Sequence, residues 1–291
     1  MKNKLLKKIA LLFFTPLSKP VVEQRARAEK LARFFRLPKG MQYQPVDANG
    51  VPAGWFIPDQ KAEGVILYLH GGAYALGSVN AHREFLARLT KVIGKRILAI
   101  DYRLAPEHPY PAALEDAVAA YRWLLGQGIA ARQIVIAGDS AGGGLTLAAL
   151  LAVRDEGQPL PAGAVCISPW VDLALAGDSM QEKADVELVL DRDSLAMFAA
   201  LYAGDEPLTN PLISPLYADL TGLPPLLIQA GTDEILLDDA ARFAHKAQAA
   251  GVDVTLEVWQ GMFHVFHIFP FFAETAEAVA QIGEFVQARL V

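Results

Sequence analysis

One stretch constrains this chain more than any other: Gly138-Asp139-Ser140-Ala141-Gly142-Gly143, entered through the apolar run Ile134-Val135-Ile136-Ala137 and left through the small-residue run Leu145 to Val153. A short, β-branched apolar run suits a strand covered on both faces, and the run that follows suits a helix. Between them lies only a tight turn, with a serine at its apex and glycines two positions to either side, where side chains would collide. Strand, turn and helix in this order hold the serine hydroxyl outward and aim the positive end of the helix dipole at it. A glycine-rich turn that cradles a phosphate has the same outline, so the motif needs support from elsewhere in the chain.

The same alternation runs through most of the sequence. Strands are expected at 41–46 and 51–57, joined at Asn49-Gly50, a dipeptide suited to a two-residue hairpin turn. Further strands are expected at 65–69, 96–100, 134–137, 163–168, 225–230 and 254–259, with helices at about 81–92, 111–125, 145–153, 236–250 and 272–290. Alternating apolar strands and amphipathic helices predict an α/β fold: a mostly parallel central sheet with helices on both faces. Such sheets carry their sites at the C-terminal ends of the strands. Two stretches break the pattern. Residues 1–37 read as helices broken by Pro16 and Pro20, and the stretch from Ala174 to Asp219 mixes charges such as Glu182, Glu187 and Asp191 with Leu188, Leu190, Leu195 and Phe198, as inserted helices would.

Composition excludes several classes. The 291 residues are 53% hydrophobic and 20% charged, which supports a large core and excludes disorder. A net charge of −6 argues against nucleic acid as a partner. Cys166, the single cysteine, lies in the apolar run Ala164-Val165-Cys166-Ile167 and reads as a buried hydrophobe, in keeping with a cytoplasmic protein. At the N-terminus, Lys2, Lys4, Lys7 and Lys8 precede Ile9 to Phe14. The apolar run is brief for a secretory leader and too short to cross a bilayer. An amphipathic helix packed on the domain, with weak contact to a membrane surface or lipid, is the expectation.

A serine hydroxyl attacks only when a base takes its proton and a third group holds the base. On a sheet of this kind the partners follow in the order serine, acid, histidine, each after a strand. Asp233 follows the strand ending at Ala230, and His264 follows the strand ending at Trp259. Ser140, Asp233 and His264 are therefore the expected catalytic set. Glu234 is the rival acid and His267, further along its loop, the rival base. Acyl transfer also needs donors for a developing oxyanion. The N–H of Ala141 and those of Gly71 and Gly72, in His70-Gly71-Gly72-Ala73-Tyr74, fill that role. Two separate loops suited to one reaction favour a hydrolase over a phosphate-binding turn. No metal or cofactor is called for.

The segments His70–Tyr74, Asp101–Glu107, Gly138–Gly143, Ser168-Pro169-Trp170, Asp233 and Gly261–Phe266 together resemble the bacterial hormone-sensitive-lipase-like carboxylesterases (family IV) of the α/β-hydrolase superfamily. The resemblance implies the α/β-hydrolase fold, with Ser140 as nucleophile, His264 as base and Asp233 as its orienter. It implies a helical cap made of the N-terminal helices, 1–40, and the inserted helices, 174–219, over a core of 41–173 and 220–291. The activity implied is hydrolysis of short- to medium-chain carboxylic esters, with a small-molecule ester as partner and a homodimer compatible with the family. Ala73 stands where many relatives have a third glycine; alanine is tolerated there, and such loops often accept esters of bulky, including tertiary, alcohols. An amidase, a lipase acting at lipid surfaces and a non-catalytic receptor are the rival readings.

Other residues read as structural. His82 is expected to hold the scaffold by hydrogen bonds, Arg103 and Glu107 to pin their loop, and Asp139 to make a structural hydrogen bond. Phe13, Phe14, Phe34 and Phe35 are candidates to line the acyl or alcohol site if the N-terminal helices cover it.

Overall fold

The computed structural model describes residues 19–32, 37–59 and 63–290. Eight strands form one sheet: β1 (Met41–Asp47), β2 (Pro52–Pro58), β3 (Val65–Leu69), β4 (Arg96–Ile100), β5 (Ile134–Asp139), β6 (Gly163–Ile167), β7 (Leu226–Gly231) and β8 (Val254–Trp259). Their order across the sheet is β1-β2-β4-β3-β5-β6-β7-β8. The pairs β1–β2 and β2–β4 are antiparallel, and every later pair is parallel. The expected architecture is thus the one found. The β1–β2 hairpin turns at Asn49 and Gly50, both at positive φ (63° and 87°), the geometry for which that dipeptide is suited.

The central strands contain no charged residue until their ends because both faces are covered. On β3, Val65, Leu67 and Leu69 enter one core with Leu98, Ile100, Ile134 and Ile136. Ile66 and Tyr68 enter a second core with Ile97, Ala99, Val135 and Ala137. The first face is covered by helices α3 (Ala112–Gly126) and α4 (Ala141–Asp155), and the second by α2 (Arg83–Ile93) packed against α8 (Ala273–Arg289). Cys166 is buried in the first core, as its apolar setting suggests.

Helix α1 (Val21–Ala32) starts directly after Pro20, where a proline is compatible with a helix start. The stretch between β6 and β7 holds α5 (Ser179–Glu182), α6 (Arg192–Ala203) and a single 3₁₀ turn at Pro215–Tyr217, and no strand. Asp191 caps α6 by accepting the N–H of Ser194 at 2.8 Å. Leu195, Phe198, Ala199 and Tyr202 of α6 enter the first core, where the Tyr202 ring stacks on Tyr74 at 3.7 Å. Helix α7 (Leu237–Ala249) joins β7 to β8. Among the described residues, no helix is long and apolar enough to cross a membrane. The lysine-rich start of the chain, with Phe13 and Phe14, and the pair Phe34 and Phe35 lie outside the described residues.

Candidate active site

Parallel register brings the strand ends to one rim: Leu69 lies beside Gly138, Asp139 beside Ile167, and Gly231 beside Trp259. Ser140 leaves β5 at that rim with φ 54° and ψ −121°, a conformation costly for a residue with a side chain and one that persists only when its surroundings enforce it. They do so here. The Ser140 N–H donates to Ile167 O at 2.8 Å, and its carbonyl accepts from Gly143, Gly144 and Trp170 at 3.0–3.1 Å. A Cβ on Gly142 would run into the carbonyl of Leu69, and one on Gly138 into the carbonyl of Gly142, so neither position admits a side chain.

The Ser140 Oγ lies 2.9 Å from His264 Nε2. Nδ1 of the same ring lies 3.0 Å from Glu234 Oε2. An ionised carboxylate can only accept, so Nδ1 carries the proton and Nε2 is left to accept from the serine hydroxyl. The other oxygen of Glu234 accepts from the Ser168 hydroxyl at 2.8 Å and from the N–H of Gly231. Ser168 in turn accepts the N–H of Val265 at 3.2 Å, fixing the start of the turn that follows His264. Glu234 is fully buried and His264 only 3% exposed.

This corrects the expected acid. Asp233 is not the residue against the imidazole: its N–H donates to Met262 O at 2.9 Å and its Oδ1 accepts from the Thr232 hydroxyl at 3.1 Å. The turn after Gly231 leaves Asp233 half-buried and turns Glu234 inward, where the longer side chain reaches the ring. The sequence held one usable signal. Glu234 adjoins the apolar pair Ile235-Leu236, both buried, and a carboxylate carried inward with such a pair needs hydrogen-bond partners there. Ser168, whose hydroxyl bridges Glu234 and the His264 loop, has nothing in its own spacing that announces the role.

The second correction concerns Gly71. Its N–H donates to Asp139 Oδ1 at 3.0 Å and so is engaged. That carboxylate also accepts the Tyr68 hydroxyl at 2.7 Å and faces His82 Nε2 at 3.4 Å. Among the described residues, no protein acceptor takes the N–H groups of Gly72, Ala73 or Ala141. Gly72 and Ala73 both border the cavity beside Ser140, at φ 124° and 51°.

Three other histidines near the site have their own partners. His267 Nε2 donates to Gln229 Oε1 at 2.9 Å, and burial lowers its pKa to about 3, so it is held neutral and turned to a different partner from the serine. His70 stacks on Tyr102 at 4.3 Å, and burial likewise brings its pKa to about 3. His82 bonds Ser78 O at 3.0 Å as well as Asp139, the scaffold role expected of it. Burial alone would lower the pKa of His264. The hydrogen bond to Glu234 and its charge, helped by the charges of Glu187 and Asp139, outweigh that and raise it above the ordinary histidine value.

A cavity of about 220 Å³ opens above Ser140 and His264. Its walls are apolar: Ala28 from α1, Val189, Leu190, Leu195 and Phe198 from the segment between β6 and β7, and Ile268. Helix α1 is tied down over it. Arg25 forms a bidentate pair with Glu107 at 2.9 Å and donates to the carbonyls of Ala75 at 2.7 Å and Ala105 at 2.6 Å. Glu29 accepts from Ser78 and Asn80. Glu107 therefore holds its loop to α1, while Arg103 holds the same loop to Asp116 and Glu115 on α3, as expected of both.

A nucleophile elbow, an imidazole within reach of it and a buried carboxylate behind the imidazole, on the C-terminal rim of a mostly parallel sheet, define an α/β-hydrolase. A family model described as alpha/beta hydrolase fold matches residues 66–268, and the chain belongs to that family. Its fold is similar to that of a crystallised esterase from the bacterial hormone-sensitive lipase (HSL) family, 46% identical with a TM-score of 0.92 over 95% of this chain and 94% of that one. It is also similar to the HSL homologue EstE7 from a metagenome library, 40% identical with a TM-score of 0.94 over 100% and 99% of the two chains. An esterase of Acinetobacter venetianus is 37% identical over 269 residues, 92% of this chain and 87% of its own. An acetyl-hydrolase of Streptomyces hygroscopicus is 52% identical over 215 residues, 74% of this chain and 72% of its own. The chain is a carboxylic ester hydrolase.

Proposed function

We propose that the protein is a serine carboxylesterase that hydrolyses short- to medium-chain esters through an acyl-enzyme, with Ser140 as nucleophile, His264 as base and Glu234 as the group that orients it. The observation that carries this is the unbroken line Ser140 Oγ, His264 Nε2, His264 Nδ1 and Glu234 Oε2, at 2.9 and 3.0 Å, on the floor of an apolar cavity. The Ser140 proton passes to Nε2 as Oγ attacks the ester carbonyl. Glu234 stabilises the imidazolium without taking its proton. The tetrahedral oxyanion is met by the N–H groups of Gly72, Ala73 and Ala141, the last at the first turn of α4, where the dipole adds to the effect. The C–O bond to the alcohol then breaks, and the alcohol leaves with the proton from Nε2. Water repeats the sequence on the acyl-enzyme and releases the carboxylic acid.

Residues 1–40 and 174–219 act in this reading as a cap whose side chains size the cavity over a core of 41–173 and 220–291. The apolar walls favour uncharged acyl and alcohol groups. The alanine at position 73 is compatible with esters of tertiary alcohols. A cytoplasmic setting accords with a single buried cysteine.

A p-nitrophenyl ester series of rising acyl length, run on the wild type and Ser140→Ala, tests this. Turnover that falls with acyl length in the wild type, and by roughly six orders of magnitude in Ser140→Ala, is expected if the three groups act as a unit. Substantial turnover in Ser140→Ala, or failure of an organophosphate to label the wild type, overturns it.

A further inference from the structure

Glu187 is a partly buried acid that the mechanism above does not use. It lies between α5 and α6, in the segment whose Val189 and Leu190 wall the cavity. Its Oε1 accepts the N–H groups of Leu188 at 2.7 Å and Val189 at 2.9 Å. Its Oε2 crosses to the opposite side and accepts the N–H of Ile235 at 3.1 Å, the residue directly after Glu234. One carboxylate thus ties the cavity wall to the backbone of the triad's acid. Leu188 and Val189 also pack on the aromatic cluster of Phe263, Phe266, Phe269 and Phe272, which flanks His264. The segment is thus held at two points, by apolar contact with the aromatic cluster and by the Glu187 hydrogen bond to Ile235.

We propose that Glu187 is a positioning residue for the hydrolysis: it sets the cavity wall against the Glu234 arm and supplies a second negative charge toward the His264 imidazolium. Among the described residues, no lysine or arginine pairs with Glu187; its hydrogen-bond partners are backbone N–H groups. Its charge is therefore not cancelled by a cation, and its field falls on the triad. The groups that face His264 are Glu234 from the turn after β7, Glu187 from the segment before α6, Asp139 from the end of β5, and His267 on its own loop. Burial raises the pKa of Glu187 above the ordinary glutamate value, His264 pulls it down, and the nearby charge of Glu234 pushes it up. That is the reciprocal mark of coupling between the two groups.

The inference rests on the reading of Ser140, His264 and Glu234 as the triad, so Ser140→Ala is measured beside it. Glu187→Gln removes the charge and sets an amide N–H₂ against one of the backbone donors. Its kcat is expected to fall about tenfold, the scale of one lost charge-assisted hydrogen bond. The acid limb of its kcat/KM profile moves to lower pH, and its preference along the acyl series changes. Glu187→Asp keeps the charge on a shorter arm: its acid limb returns to the wild-type position while the acyl preference stays altered. A residue with a merely structural role would lower the melting temperature and leave the acid limb in place.

A Glu187→Gln variant with the wild-type acid limb and acyl preference overturns the proposal. Should that variant fail to fold by circular dichroism, Glu187→Asp decides: wild-type values for both kcat and acyl preference overturn it. Retained turnover in Ser140→Ala sinks the triad itself. Lost turnover there, with Glu187→Gln unaltered, sinks only the role of Glu187.

Discussion

The carboxylate of Asp139, the residue before Ser140, accepts the backbone N–H of Gly71 at 3.0 Å. This joins the end of β5 to the loop that presents Gly72 and Ala73 to the cavity. The hydroxyl of Tyr68, from the middle of the sheet, donates to the same oxygen at 2.7 Å. Burial raises the pKa of Asp139, but the charge and hydrogen bond of His82 and the Tyr68 hydroxyl outweigh it, so the net pKa is lowered to about 2 and the group is anionic at every working pH. Its charge favours a protonated His82 and, more weakly, a protonated His264.

Removing that acceptor should loosen the loop that carries Gly72 and Ala73, the proposed oxyanion donors. Asp139→Ala leaves the Gly71 N–H and the Tyr68 hydroxyl buried without a partner, at about 1–3 kcal/mol each. A lower melting temperature and a fall in kcat larger than any rise in KM are expected, because the loop serves the transition state more than the bound ester. Asp139→Asn keeps one acceptor and should lose less of both. Thermal unfolding and steady-state kinetics on one p-nitrophenyl ester read the two effects. An unchanged kcat in Asp139→Ala would separate this carboxylate from the oxyanion loop.

Glu234 and Asp233, adjacent in sequence, should differ by orders of magnitude in consequence. Glu234→Gln keeps the shape but loses the charge that fixes the Nδ1 proton, and kcat should fall by about 10⁴, the scale of an acid-to-amide change in such a triad. Asp233→Asn should keep most activity, since its side chain meets Thr232 and not the ring. Single-turnover acyl-enzyme formation on both variants is the measurement. A large loss in Asp233→Asn with little in Glu234→Gln would reverse the assignment.

The fold was legible because its signals are local and repeated. Short, β-branched apolar runs such as Val65–Leu69 suit strands with both faces covered, and Asn49-Gly50 suits the turn it makes. Part of the candidate site was legible too. Strand ends located the acid to Asp233 or Glu234, but which of two neighbours turns inward depends on the path after Gly231, where Asp233 bonds Met262 from another strand's loop. The same holds for Gly71. Its N–H reads as free for an oxyanion in the sequence, but Asp139, 68 residues away, takes it. Tertiary partners of this kind leave no spacing to read. Glu187 is the extreme case, since a charge in a mixed segment reads as solvated surface, and only the fold reveals three backbone donors around it.

Arg25 should matter to substrate more than to stability. Its ion pair with Glu107 is half exposed at the glutamate and is worth little alone, about 0–1 kcal/mol. Its bonds to Ala75 O and Ala105 O are what hold α1, and with it Ala28, against the cavity. Arg25→Ala is expected to raise KM several-fold across the acyl series, with a melting temperature within a few degrees of wild type. Glu107→Ala, which leaves those two carbonyl bonds intact, should change KM less. Equal effects in both variants would assign the anchoring to the ion pair instead.

The acid limb of activity should lie above the ordinary histidine value. Only neutral His264 can take the Ser140 proton, so the active fraction falls as pH drops through its pKa. An unperturbed imidazole would place that fall near about 6.5. Burial pulls it lower, but the hydrogen bond and charge of Glu234, with Glu187 and Asp139 behind it, more than offset this and carry it upward. The limb in kcat/KM is therefore expected on the alkaline side of the ordinary value. His82, also at the cavity, is lowered by burial, but the charge and hydrogen bond of Asp139, with the Ser78 carbonyl and the charge of Asp101, together raise its pKa. His82→Gln should leave the limb where it is, whereas Glu234→Gln should bring its residual activity to a limb at lower pH. A limb that follows His82 and ignores Glu234 would mean that the titration seen is not that of the base.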